Sequence, residues 1–382
     1  MLATALAACG NKDNSGADGS SDTESTASDT QSGDTDSSDE GLSDDDSRGL
    51  DYALNKDGLG YTVIGIGEYA DAELVIPDTY KGLPVTGIGR VAFRYNGSIT
   101  SVKIGNNVTS IGFEAFRECD RLTFLTIGDG VTTINSSAFY GCGGLTSITI
   151  GNSVTDVSSS AFNACGKLVE VINNSSLSVT AGSTDNGYVA YSAKEIHSGP
   201  SKIVNENGYI FYTYEGVDYL IGYVGSDREL TLPESYNGRS YKIYDRAFYN
   251  YAELKSVTIP ESITDISGEA FFGCANIETA AVHVRAIFCI PKDSLRTVVI
   301  TGGTRMDDFV LCDCACLENV TIDSSITRIG EWAFSGCIKL TGIAYNGTVE
   351  QWKAIDKGYG WNSKTDLYTV TCTDGVLKKS ES

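Results

Sequence analysis

Val108-Thr109-Ser110-Ile111-Gly112-Phe113-Glu114-Ala115-Phe116-Arg117-Glu118-Cys119-Asp120-Arg121-Leu122-Thr123-Phe124-Leu125-Thr126-Ile127-Gly128 decides the fold, because it recurs. Its opening returns as Val85-Thr86-Gly87-Ile88 ahead of Ala92-Phe93, as Val131-Thr132-Thr133-Ile134 ahead of Ala138-Phe139, and as Val154-Thr155-Asp156-Val157 ahead of Ala161-Phe162. These four copies stand 23 residues apart without a slip. The series resumes at Ala247-Phe248 and Ala270-Phe271, passes a degenerate Val310-Leu311, and ends at Ala333-Phe334, with intervals of 23, 40 and 23. A fixed period of this size predicts a solenoid in which each repeat is one coil that only its neighbours can cover.

Within a period, Leu122, Leu125 and Ile127 fit Leu-x-x-Leu-x-Leu, a strand whose apolar side chains point inward. Leu145-Ile148-Ile150, Leu254-Val257-Ile259 and Leu317-Val320-Ile322 repeat it. Stacked coils would pair these strands in parallel at about 4.8 Å, so that each backbone finds partners above and below. Gly128 and Gly151 follow the strand, where a turn is expected. The Phe of each Ala-Phe is expected in a buried aromatic ladder, with Ala in the close-packed spot beside it.

The repeat Val-Thr-Ser-Ile-Gly-x-x-Ala-Phe-x-x-Cys-x-x-Leu-Thr-x-x-x-Ile-Gly resembles the BspA-like leucine-rich repeat family of bacterial surface proteins. The resemblance spans roughly residues 50–375. It implies a curved right-handed solenoid, with a strand on the concave side and short turns or helical pieces opposite. It also implies a non-catalytic binding role at a cell surface, since some members are described as adhesins for host matrix proteins. No catalytic residues come with it. The expected fold is therefore a β-rich leucine-rich-repeat solenoid, parallel strands stacked coil on coil with short helical turns.

Around the repeats the chain divides by composition. Residues 1–9 read as a remnant signal peptide, and Leu6-Ala7-Ala8-Cys9-Gly10 resembles the lipobox of bacterial lipoproteins, in which the Cys is acylated after cleavage. Only eight residues precede Cys9 and none is basic, so the recorded start is expected to be late or trimmed. Residues 10–48 are almost only Ser, Asp, Gly, Thr, Asn and Glu, which predicts a disordered acidic linker holding the folded part away from a membrane. Residues 49–84 are expected as an N-terminal β cap, 85–176 as a first block of coils and 241–347 as a second. Between them, 177–240 is Tyr-rich and interrupts the ladder; Tyr209-Ile210-Phe211-Tyr212 and Tyr219-Leu220-Ile221 around Glu215-Gly216 predict a hairpin. That stretch closes with Leu232-Pro233-Glu234-Ser235-Tyr236-Asn237-Gly238, the counterpart of Ile76-Pro77-Asp78-Thr79-Tyr80-Lys81-Gly82 before the first block. Residues 275–303 read as one stretched or imperfect coil. Residues 348–376 are expected to cap the far end: Thr348 and Gln351 fit a capping box, with Val349, Trp352 and Ile355 at helical spacing over the last coil and a closing strand from Leu367 to Cys372. Residues 377–382 are a tail.

Charge excludes one class of partner. The formal charge is -22, and residues 11–47 supply a net -11 of it, from twelve acids against Lys12. No basic stripe is present for phosphate contacts, so no nucleic acid is expected. No apolar run reaches eighteen residues, so the membrane is expected to be met through Cys9 alone.

The residues that usually carry chemistry are mostly absorbed by the repeat. Cys119, Cys142, Cys165, Cys274 and Cys337 occupy one slot, three residues after the Phe, and Cys314 falls there too. A slot filled by phase is a packing slot, where Cys acts as a small buried hydrophobe. Cys312-Asp313-Cys314-Ala315-Cys316 lacks a separated second pair, so no metal site is expected, and no cofactor. The two histidines, His197 and His283, lie in no recognisable motif. The chain is therefore expected to bind rather than catalyse. The outward positions of the long strands give the candidate ligand face: Lys103, Phe124, Thr126, Thr149, Thr258 and Thr321, flanked by Thr100, Thr123, Thr146, Lys255 and Glu318. Such a shallow, mildly polar sheet suits broad contact with a protein or polysaccharide, a protein being the favoured ligand. The alternative is a glycan stacked on the rings of 177–240.

Overall fold

The computed structural model describes residues 49–381; Cys9 and the linker expected over 10–48 lie outside them. The coils stack as parallel rungs. Glu73–Ile76, Ser101–Ile104, Phe124–Thr126, Ser147–Ile150, Glu170–Asn173 and Glu195–His197 form one parallel sheet in chain order. Short strands (Leu83–Ile88, Ser110–Ile111, Thr133–Ile134, Asp156–Val157) form a second sheet on the opposite wall. In the second block a long sheet runs from Glu229–Thr231 to Thr369–Cys372 and closes with an antiparallel strand, Gly375–Lys378.

Between the walls lies the core that the pattern predicts. Leu122, Leu125 and Ile127 are at most 2% exposed. The Phe93, Phe116, Phe139 and Phe162 rings stack at 4.8, 5.1 and 5.1 Å, and Phe248 stacks on Phe271 at 4.7 Å. The four Ala-Phe turns of the first block use left-handed backbone one residue before the Ala, at Val91, Glu114, Ser137 and Ser160. This lets the Phe amide donate to the Ala carbonyl of the next coil, as Phe139 does to Ala161 at 2.8 Å. The slot cysteines are buried, and their thiols donate backward. Cys119, Cys142, Cys165 and Cys274 reach the carbonyls of Phe93, Phe116, Phe139 and Phe248 at 3.0–3.2 Å, and Cys337 reaches Leu311 at 3.1 Å.

Three expectations are corrected. Gly128 and Gly151 are glycine because coils touch there, not because the chain turns. A Cβ on Gly128 would lie 2.5 Å from the Gly105 and Ile104 carbonyl oxygens, and one on Gly151 would lie 2.4 Å from that of Gly128. Residues 177–240 do not wholly interrupt the ladder: Gly187 accepts the Phe162 amide at 2.7 Å, and Glu195–His197 adds a sixth rung to the long-strand sheet. Nor is 275–303 one stretched coil. It holds two rungs, Thr279–Val282 and Thr297–Ile300, whose equivalent residues Ala281 and Val299 are only 18 apart. Ala286 and Ile287, in a short 3-10 turn over Val284–Cys289, are buried where Ala-Phe would stand.

Each block begins with the same device. Asp51–Leu54 pairs antiparallel with Tyr61–Gly65, which joins Leu83–Ile88 in parallel; likewise Tyr209–Tyr214 pairs antiparallel with Val217–Tyr223, which joins Lys242–Ile243. The second hairpin is buried on both faces. Phe211 and Leu220 enter the core of the second block, while Ile210, Tyr212 and Ile221 pack on Val169 of the first. At the far end, Val349–Ala354 is helical with both hydrogen bonds of the Thr348/Gln351 capping box, and it buries Trp352 completely against the last coils. The closing strand starts at Thr369, leaving Leu367 exposed.

Candidate functional site

Parallel register brings three of the six expected face residues into line. Lys103 pairs with Thr126 and Thr126 with Thr149 on adjacent strands, because all three sit at the same phase of the 23-residue period. They line a shallow cavity of about 190 Å³, whose rim is made by Asn106, Asp129 and Asn174. The rim is held rigid by a polar ladder: Asn106 Oδ1 accepts the Asp129 amide and Asp129 Oδ1 accepts the Asn152 amide, each at 3.0 Å. Sequence reading missed these Asx residues, although their signal was present: the residue after Gly105, Gly128 and Gly151 is Asn or Asp each time. The groove thus offers one ammonium, one carboxylate, two hydroxyls and amides on a fixed frame. It can recognise a polar ligand by hydrogen bonds along several rungs.

Phe124, Thr258 and Thr321 do not belong to this groove. Phe124 is half-buried and packs against the hairpin cluster of Ile210, Tyr212 and Ile221. Thr258 and Thr321 lie in the second block's sheet, separated from each other by Ala281 and Val299. Thr100, Thr123 and Thr146, expected as outward neighbours, are at most 6% exposed. Thr100 and Thr146 bond between rungs, Thr146 Oγ1 donating to the Thr123 carbonyl at 3.0 Å, while Thr123 Oγ1 donates to the Arg121 carbonyl of its own coil at 3.1 Å.

A buried carboxylate fixes where the open face ends. Glu170, fully buried, accepts from Ser147 Oγ at 2.7 Å, Ser201 Oγ at 2.6 Å and the Lys202 amide at 2.7 Å, with His197 Nε2 at 3.2 Å. A carboxylate needs this many donors to stay buried without a large desolvation cost. The cluster contains serine, histidine and acid, but in the wrong order for nucleophilic chemistry. In a triad the histidine stands between hydroxyl and carboxylate; here both hydroxyls address the carboxylate directly. Glu170 acts as a clasp, tying residues 195–203 across the sheet. His283 is likewise occupied, its Nδ1 accepting the Arg285 amide at 3.2 Å.

Several of the insert's rings are used in packing, while Tyr191 is exposed. Tyr236 stacks on Phe211 at 4.0 Å, and the Tyr209, Tyr212 and Tyr241 hydroxyls bond to Thr231, Glu195 and Pro233. On the second block, Lys255, Glu278, Arg296 and Glu318 form an exposed alternating ladder, with Lys255–Glu278 at 2.8 Å and Arg296–Glu318 at 2.6 Å. Exposed pairs of this kind contribute little stability, and they neutralise one another across that edge.

No curated protein sequence matches the chain. Among solved structures, similarity extends to a leucine rich cell surface protein from Faecalibacterium prausnitzii A2-165, at 25% identity over 84% of this chain and 98% of that one, with a TM-score of 0.33. A leucine rich repeat protein of T. pallidum follows at 18% identity over 77% and 89%, TM-score 0.31. One from Eubacterium ventriosum shows 18% identity over 84% and 93%, TM-score 0.33. The family description "BspA type Leucine rich repeat region" matches in six copies over residues 86–187, 228–298 and 304–355. These matches cover more than half of the sequence and fall on the rungs described above, so the chain belongs to the BspA-type leucine-rich-repeat family.

Proposed function

We propose that this chain is a non-catalytic binding protein of the bacterial cell surface, and that the Lys103–Thr126–Thr149 groove is where it meets a macromolecular ligand. Membership of the BspA-type family supports the binding role. The groove itself carries the assignment to this face: it is the stretch of the first block's long-strand sheet that the hairpin leaves open, and its polar groups are fixed on a stiff frame. A protein ligand with an extended polar segment fits such a surface, because regularly spaced hydroxyls and amides address a chain laid across the rungs. In this reading the lipobox-like Leu6–Gly10 stretch places the lipid on Cys9 and anchors the exported protein to the membrane.

An array of matrix proteins and glycans probed with the full chain tests the reading. Lys103→Glu combined with Thr126→Asp and Thr149→Asp is expected to abolish the strongest signal, while Thr258→Asp with Thr321→Asp leaves it intact. An undiminished signal from the groove variant would sink the assignment. For the anchor, protein made in its host is expected to partition into detergent, and Cys9→Ser to remain in the aqueous phase.

A further inference from the structure

Beside the hairpin, at Gly222 and Tyr223, the two blocks make a further contact away from the groove. Lys167 projects from the first block into this joint and is 4% exposed. Its Nζ donates to the Ala247 carbonyl at 3.3 Å, one long bond for a group with three donors. The crevice it lines, of about 20 Å³, is completed by Arg121, Asp120, Tyr223, Tyr249 and Tyr251. The Arg121 guanidinium donates to the Gly225 carbonyl at 2.9 Å and lies 4.8 Å over the Tyr251 ring, which leaves further N–H groups unused. Asp120, the acid in the lining, is engaged by Asn250 Nδ2 at 2.8 Å. Neither Lys167 nor Arg121 is in an ion pair among the described residues.

Two cations therefore face a small crevice with donors to spare, and its one carboxylate, Asp120, is bound by Asn250 and pairs with neither. A buried ammonium in this setting is strongly disfavoured unless a counter-charge comes with it, and burial already draws its pKa down to about 7. The size of the crevice admits one particle on the scale of a water molecule or a halide. Room for one such particle suits a halide better than a phosphate or sulfate. We propose that the Lys167–Arg121 crevice binds a single halide ion, chloride by size, which pins the two blocks together at their joint.

Thermal melting of the full chain in sodium chloride and in sodium gluconate, at pH 7 and equal ionic strength, tests this. The native protein is expected to melt roughly 2–4 °C higher in chloride, with saturation as chloride rises. Lys167→Met is expected to melt at the same temperature in both salts. Crystals soaked in bromide are expected to show an anomalous peak between Lys167 and Arg121, a measurement that stands even where the variant fails to fold. Equal melting of the native protein in the two salts overturns the proposal, as does a halide effect that survives Lys167→Met, or a bromide map without a peak in the crevice.

Discussion

Lys167 gives up its proton far more readily than an exposed lysine because burial opposes the ammonium, and its pKa falls from 10.5 to about 7. Asp245 and Cys274 are the groups that favour its charge, and they do not offset the burial. From about pH 7 upward the unfolded chain therefore holds a proton that the native chain has released, so stability rises with pH, by at most about 1.4 kcal/mol per unit. Cys119, Cys274 and Cys289 act in the opposite sense. Burial raises each from 9.0 to about 12, so above pH 9 the native chain keeps protons that the unfolded chain loses, and stability falls. Urea titrations in halide-free buffer are expected to show greatest stability near pH 9. Lys167→Met should flatten the rise between pH 7 and 9 and spare the alkaline fall; a rise that persists in the variant would assign it to other groups. At the same scale, Phe139→Ala removes a ring stacked on both sides and is expected to cost about 3–5 kcal/mol by chemical denaturation. Sequence phase placed Phe139 and the slot cysteines correctly in the core, because phase reports facing direction. It could not supply the thiol's acceptor, a carbonyl 26 residues upstream, nor the isolation of Lys167, which depends on Ala247 arriving from the other block.

At the scale of a single coil, what was legible and what was not follow from the same cause. Periodic apolar residues announce a rung, so the strands at Leu122–Ile127 and the capping box at Thr348 were readable. A rung that keeps its geometry while changing its length loses that signal: Ile287 fills the Phe slot in a coil of 18 residues, and the phase breaks on either side. Glycine was misread for a related reason, since a turn and a close approach of backbones both demand it. The distinction is testable. Gly128→Ala forces the Gly105 and Gly128 segments apart and is expected to cost about 1–3 kcal/mol in denaturant midpoint analysis. Gly166→Ala meets nothing within 4 Å and is expected to stay within about 0.5 kcal/mol of the native protein. Equal effects at the two sites would show that turn conformation, rather than contact between coils, governs both.

Across the whole molecule the described residues hold two large cores, one spanning Leu50 to Ala193 and the other Phe211 to Leu377, with a small third cluster of Val169, Ile210, Tyr212 and Ile221 between them. Coils interact only with their neighbours, so two such arrays would melt independently unless something couples them. The coupling element is the Tyr209–Tyr223 hairpin, which belongs to the second core through Phe211 and Leu220 and to the first block through Ile210, Tyr212 and Ile221. Its two-sided burial explains why it reads as an insertion of alternating rings: each alternate residue faces a different block. Ile210 is fully buried on the side facing Val169, and Ile210→Asp would put a carboxylate in place of an aliphatic side chain in that apolar contact. The second core is untouched by that change, since Phe211 and Leu220 point the other way. Calorimetry is therefore expected to turn one cooperative transition into two, with the second block's midpoint nearly unchanged and the first block's lowered. Phe124, freed from the hairpin, should then become accessible on the face beside the groove, which raises its protection-factor loss in hydrogen exchange at Thr123–Leu125 above that at Leu145–Ile150. A single unsplit transition in the variant would mean that the coils propagate through the joint by another route, with the contact at Lys167 and Ala247 the first place to look.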